Sequence, residues 1–387
     1  MDFKRTEEQE LLLESLRTVM ERGDFEDYFK ECDEKHVFPQ KAADALVEAG
    51  FASLGIPEEY DGTPVDILTQ VMVAEEAHAL GYPSLCWINF STEVDDILTF
   101  GNPEQQKAVL EYAVQGKKPF TLGFTEPQAG SDSAAMATTA TKRDGKVYIN
   151  GTKTFNTSAD KAPYMLCVAR SGINESPYKD FSMYLFPMDR PGITTSKLSK
   201  IGNNMCGTYE VYLQDVECDE SDLVGEECKG FYQLMKNFEV ERLTICAANV
   251  GMARCAYEEA LRYAGQREQF GRPIGSFQLI QEKLVDMKIK IENMQNMLYK
   301  AAWKKDNGES ISIDSSLLKR YTGHAAFEVI DDAMQIMGGI GYTNDCRIAR
   351  LWRDQRVYRI MAGTEEIMVH TAGRALIKEA QQQQLSR

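Results

Sequence analysis

The hydrophobic period of this chain changes twice. Up to about Lys118 apolar residues recur at helical spacing, from there to about Cys228 they alternate, and from Gly230 onward the helical spacing returns. A stretch patterned for a helix cannot be laid out as a strand without turning half of its apolar side chains into water, nor the reverse. The expected fold class is therefore α+β, mostly α. It has an N-terminal α-helical domain over 1–118, a β domain over 119–228 and a C-terminal four-helix bundle domain over 229–387.

Local signals support each part. Thr6 and Gln9 form a capping-box pattern that opens a helix through about Met20, and Asn102, Pro103 and Gln105 open another through about Val114. Strand character is read over Val147 to Ile149, Tyr164 to Val168, Phe181 to Phe186 and Tyr209 to Leu213. Asp144-Gly145 and Asn150-Gly151 are turn dipeptides, the first flanked in the manner of a hairpin. Further on, Ile280, Leu284, Met287, Ile291, Met294 and Leu298 make a four-three seam, and Ala326, Ile330, Ala333 and Met337 make a second.

One residue breaks such a seam. Leu234, Phe238, Glu241, Ile245, Ala248 and Met252 follow helical steps, so Glu241 occupies a position that calls for an apolar side chain and is expected to be largely dry. Burial without a partner raises a carboxyl pKa and prepares a base for work near neutral pH. A structural ion pair with an arginine of another helix accounts for the same pattern.

The formal net charge of −16 argues against non-specific partnership with nucleic acid or anionic membranes. Nine scattered cysteines without a CxxC pair are expected as reduced thiols, not as a disulfide frame or a metal site; no metal site is expected. Neither a signal-peptide pattern nor an apolar run near the roughly 18 residues of a membrane span is seen, so a cytoplasmic location is expected.

Four stretches occur in order: Thr125-Glu126-Pro127-Gln128-Ala129-Gly130-Ser131-Asp132, Asn150-Gly151-Thr152-Lys153-Thr154-Phe155-Asn156-Thr157, Arg267 to Gln278, and Gln335-Ile336-Met337-Gly338-Gly339-Ile340-Gly341-Tyr342. In this order, inside an α-β-α chain, they resemble the acyl-CoA dehydrogenase family over essentially the whole length. No P-loop or Rossmann fingerprint is present, and the family binds FAD without either. The resemblance implies a β-barrel-like central domain and a homo-oligomer, most often a tetramer. It places Leu122, Thr125, Ser131, Phe155 and Thr157 along the flavin. Arg267, Gln269, Phe270 and Gln278, with Gln335, Gly338 and Gly339, reach the FAD of a neighbouring subunit, and Thr364 and Glu366 fall on further cofactor positions. Ser131, Arg242, Ala362 and Gly363 are its substrate positions, with Arg242 beside the CoA moiety.

The family's commonest catalytic base is a glutamate directly before a Gly-Thr pair. Here that pair is Gly363-Thr364, preceded by Ala362, which cannot take a proton. Some members instead carry the glutamate before the arginine of the long helix, which is the position of Glu241. The resemblance then implies that Glu241 moves the α proton of an acyl-CoA thioester while hydride passes between the β carbon and flavin N5. The flavin ribityl hydroxyl and the Ala362 N–H would bind the thioester oxygen. Electrons would pass to or from an electron-transfer flavoprotein. In texture, Met1-Asp2-Phe3, Phe277 to Lys283 and Trp352-Arg353-Asp354 are similar to the crotonobetainyl-CoA reductase group, which points to 2-enoyl-CoA reduction. An oxygen-using acyl-CoA oxidase and a scaffold that has lost chemistry are the competing readings. Trp87, Asn89 and Met361 are acyl-pocket candidates or ordinary core residues.

Overall fold

Six α-helices precede the first strand of the computed structural model, which describes residues 4–174 and 176–385; Met1-Asp2-Phe3 lies outside the described residues. They are α1 (Glu7–Gly23), α2 (Glu26–Lys35), α3 (Gln40–Glu48), α4 (Ile67–Ala79), α5 (Asp95–Phe100) and α6 (Pro103–Ala113). Both capping boxes form as expected. Gln9 N–H donates to Thr6 Oγ1 at 3.2 Å while the Gln9 side chain accepts from Thr6 N–H at 3.1 Å, and Asn102 with Gln105 repeats the exchange at the start of α6. Leu13, Leu16 and Met20 of α1 share one core with Phe29 and Leu46.

The β domain runs through β1 (Phe120–Gly123), β2 (Thr139–Arg143), β3 (Lys146–Thr157), β4 (Tyr164–Arg170), β5 (Phe181–Pro187), β6 (Ile193–Lys197), β7 (Thr208–Cys218) and β8 (Leu223–Val224). They form one eight-stranded mixed sheet in the order β6-β7-β3-β2-β4-β5-β8, with β1 parallel to β4. Alternation along β4 and β5 explains why both strands are buried almost throughout. Leu166, Val168, Met183 and Leu185 face a core shared with Ile97, Phe231 and Leu234 of the helices. Met165, Cys167, Tyr184 and Phe186 face the opposite core, with Val211 and Leu213 of β7.

Asp144 (φ 50°) and Gly145 (φ 77°) make the expected hairpin turn, with Arg143 opposite Lys146. Asn150-Gly151 does not make a turn. It lies inside β3 at a register shift against β7, and Thr138, just before the paired β2, packs against it: a Cβ on Gly151 would sit 2.3 Å from Thr138 Oγ1. Glycine here serves close packing.

Beyond the sheet come α7 (Gly230–Gln266), the short β9 (Glu268–Gln269) and β10 (Arg272–Pro273), α8 (Gln278–Asp306), α9 (Ser312–Met337), α10 (Arg347–Gln355) and α11 (Glu365–Leu385). The four long helices α7, α8, α9 and α11 are the bundle. Met287, Ile291, Met294 and Leu298 of the first seam are fully buried, each worth about 1.5–3 kcal/mol of apolar transfer. Leu284 is partly buried at its edge. α4 ties the N-terminal helices to this bundle: Glu75 and Glu76 accept from Arg254 at 2.7 and 3.1 Å, and Glu75 also accepts from Gln295 and Tyr299.

Candidate active site

α7 begins where it does because Gly230 allows its first turn to touch β5; a Cβ there would lie 2.7 Å from Met183 N. Phe231 and Leu234 enter the core beneath the sheet, and Phe238 meets Phe124, just after β1, edge-on with ring centroids 5.8 Å apart. The next turn presents Glu241. Its stripe therefore runs along the seam between the β domain and the N-terminal helices before entering the bundle.

Around Glu241 stand Glu93 and Asp96 from the N-terminal helical region and Lys118 from the segment before β1. Glu93 and Lys118 form an ion pair. Thr92 and Thr244 bring their hydroxyls within 3.1 Å, joining the two sides next to the carboxylate. The expectation of a dry Glu241 needs correcting, because its side chain keeps partial access to solvent. It sits at a junction of domains, where the apolar wall is not closed. No hydrogen bond or ion pair holds it among the described residues, so the reading as a structural ion pair finds no partner. Burial pushes its pKa up to about 7; the Glu93 charge adds to the rise, while Lys118 and Arg242 oppose it.

Asp96, 1% exposed, is a second strained carboxyl beside it. Asn237, one helical turn before Glu241, donates to Asp96 Oδ2 at 3.0 Å, but Asp96 Oδ1 has no partner. Burial raises its pKa to about 8, against the lowering effect of Asn237.

Arg242 turns the other way. Its Nε donates to the carbonyl of Ala362 at 3.4 Å, and Gly363 follows immediately, so Arg242, Ala362 and Gly363 are brought together, with Glu241 one residue before Arg242 on α7. Ala362 adopts φ 53° and Gly363 φ 89°, a left-handed pair that costs about 1 kcal/mol or more at the alanine. The Ala362 N–H donates to no group of the chain among the described residues. Thr364 caps α11, its Oγ1 accepting from Ile367 N–H at 3.2 Å, and Glu366 is exposed on the first turn of that helix.

The segments after β1 and at the end of β3 lie side by side. Thr154 N–H donates to Thr125 O at 2.8 Å, and Thr121 Oγ1 to Thr157 O at 3.0 Å. Leu122, Thr125 and Thr157 are partly exposed and Ser131 is open to solvent. Phe155 holds φ 59° and is 65% exposed. Beneath this loop is a pair that has no local sequence signal. Lys153 donates to Glu126 at 2.7 Å and to Phe124 O at 3.1 Å, and the same carboxylate accepts the N–H groups of Ala137 and Thr138. A strained, exposed aromatic face with hydroxyls beside it, on a loop braced from below, fits a flavin ring.

Arg267, Gln269, Phe270 and Gln278 lie elsewhere. Arg267 is the C-cap of α7, Gln269 and Phe270 belong to the β9–β10 hairpin and Gln278 opens α8; Phe270 is 93% exposed, and the last three line a groove of about 850 Å³ with Ile336. Gln335, Gly338 and Gly339 are exposed at the nearby end of α9. The 26 helical residues from Glu241 to Arg267 span roughly 39 Å at 1.5 Å each. Within one chain the two groups are separate.

Other candidates are tethers. Asn89 spends its amide on the carbonyls of Phe51, Ala52 and Leu54, and Trp87 packs on His78 and Tyr82. Trp352 donates to Asp331, Arg353 pairs with Asp33, and Asp354 accepts from Asn203. Lys319, fully buried behind Ala362, was not singled out in the sequence. The signal was there: stepping back from Ala326 by four and three along α9 lands on it.

Against known proteins, the N-terminal, middle and C-terminal domains of acyl-CoA dehydrogenase match residues 6–117, 121–216 and 228–377. The chain belongs to the acyl-CoA dehydrogenase family. It is a flavoprotein-type oxidoreductase acting on the CH–CH bond of CoA thioesters, and the family implies FAD. The probable acyl-CoA dehydrogenase YdiO of Escherichia coli (strain K12) is 46% identical over 382 residues, covering 98% of this chain and 100% of that protein. Butyryl-CoA dehydrogenase from Megasphaera elsdenii is 31% identical with TM-score 0.91, covering 97% and 100%. A chain from structural work on the electron transferring flavoprotein of Acidaminococcus fermentans is 30% identical with TM-score 0.88, covering 97% and 99%.

Proposed function

We propose that this protein interconverts acyl-CoA and trans-2-enoyl-CoA with Glu241 as the group that takes or gives the α proton. The observation that carries this is the carboxylate itself: partly accessible, unpaired, and poised at about 7, one residue before the arginine that holds the Ala362 carbonyl. In the oxidative direction its ionised form removes the α proton, while the free Ala362 N–H donates to the thioester oxygen as enolate-like charge builds there. In the reductive direction the protonated form returns that proton.

FAD, when bound, supplies the acceptor or donor of hydride at the β carbon. Leu122, Thr125, Ser131, Phe155, Thr157, Thr364 and Glu366 would hold it from one chain. Arg267, Gln269, Phe270, Gln278, Gln335, Gly338 and Gly339 would do so from a second copy, a reading supported by the roughly 39 Å of α7 between Glu241 and Arg267. A homotetramer follows as the proposed assembly, and an electron-transfer flavoprotein as the proposed redox partner. Ser131 and Arg242 are proposed on the CoA side. The reductive, crotonobetainyl-CoA reductase-like reading rests on the sequence resemblance alone, part of which falls on the tethering residues Trp352, Arg353 and Asp354.

The test is anaerobic. A panel of saturated acyl-CoA esters should bleach the flavin of the purified holoenzyme, or enoyl-CoA esters reoxidise it after reduction. Flavin that responds to no member of either panel would overturn the reading, and oxygen uptake during turnover without a flavoprotein partner would assign an oxidase instead.

A further inference from the structure

Two buried cations converge on one short segment. Lys319 of α9 is 0% exposed and its Nζ donates to the carbonyls of Tyr358 and, at 3.5 Å, Gly363. Arg242 of α7 holds the carbonyl between them in the chain, that of Ala362. Neither cation has a carboxylate in ion-pair contact among the described residues. α9 reaches this close because residue 323 is glycine; a Cβ there would stand 3.3 Å from Tyr358 O.

Such an arrangement is expensive for a purely structural purpose. A buried charge loses its hydration, and an apolar side chain of similar volume usually serves a core at least as well. The burden shows at Lys319, whose pKa burial presses down to about 8. What the two charges secure is specific: three carbonyls are tied down in a segment whose Ala362 and Gly363 are left-handed and whose Ala362 N–H is left unused. For a thioester oxygen bound at the Ala362 N–H, both charges would add positive potential on the side where electron density builds.

We infer that Lys319 is a positioning residue of the reaction, acting with Arg242 as a clamp that fixes the Ala362 N–H toward the thioester oxygen. This inference rests on the reading given under Proposed function. Lys319 touches neither substrate nor cofactor; it acts through the backbone of residues 358–363.

The test compares wild-type, Lys319→Met and Gly323→Ala holoenzymes with the acyl-CoA that best bleaches the wild type. For each, kcat per bound flavin, KM and the infrared stretch of the bound, isotope-labelled thioester carbonyl are measured. Lys319→Met should lower kcat by about 10- to 100-fold, with KM within about threefold, and reduce the carbonyl's shift on binding. Gly323→Ala keeps a good helix former in α9 while pushing on Tyr358, so it tests the clamp even if Lys319→Met fails to fold. It should lower kcat severalfold and reduce the carbonyl shift in the same direction. Retention of wild-type kcat and carbonyl shift by the variants that fold would overturn the clamp, whereas a wild type that bleaches with no acyl-CoA would overturn the underlying reading instead.

Discussion

Glu126 and Glu241 are both carboxylates enclosed by protein, and they have opposite fates. At Glu126 burial would raise the pKa, but the Lys153 charge and the hydrogen bonds from Lys153, Thr138 and Ala137 outweigh it and hold the carboxyl below its ordinary value. At Glu241 burial meets no hydrogen bond, and the carboxyl rises to about 7. Enclosure alone therefore does not mark a catalytic group. A carboxylate whose acceptors are all spoken for is architecture, here the brace under the loop proposed to hold the flavin; one left without partners at a domain junction is free to trade a proton.

The sharpest way to break this contrast is to make both carboxylates neutral amides. Glu241→Gln should lower turnover by about 10³- to 10⁴-fold with flavin content unchanged, as measured by steady-state rate per bound flavin. Glu126→Gln should do its damage to the fold. It strands the fully buried Lys153 and should destabilise the holoprotein by about 3–5 kcal/mol in denaturant titration.

The stability effect of Glu241→Gln should have the other sign. Between the ordinary carboxylate range and about pH 7, the folded protein keeps on Glu241 a proton that the unfolded chain has released. Stability therefore falls as pH rises through that window and stays lowered above it. Removing the ionisable group should raise stability at pH 8 by about 1–3 kcal/mol and leave it unchanged near pH 4, which unfolding curves at the two pH values will show. The smallest effect is expected from Asp96→Asn. With burial holding Asp96 mainly protonated below about 8, turnover at pH 7 should change by under about threefold, while the profile above pH 8 loses the influence of a second charge beside Glu241. A pH–rate comparison of the two proteins reads this directly.

Much of this was legible in the sequence where one physical rule acts locally. The seams of α8 and α9 follow from helical period, the starts of α1 and α6 from capping boxes, and the Asp144-Gly145 hairpin from its positive φ angles. Asn150-Gly151 misled because the same dipeptide also serves inside a strand where the backbone packs closely, here against Thr138 at the start of the facing hairpin arm. Glu241 stood out by breaking its stripe, but its degree of exposure depended on three regions meeting. The Glu126–Lys153 pair, 27 residues apart, and the Asp96–Asn237 contact, 141 apart, leave no local trace at all.

The central claim is that Glu241 carries the α proton. Acyl-CoA labelled with deuterium at the α carbon, incubated anaerobically with holoenzyme, should lose label to water at a rate that rises with pH about a midpoint near 7. The Glu241→Gln holoenzyme, with full flavin content, should leave the label in place at every pH. Washout by that variant at the wild-type rate would contradict the account.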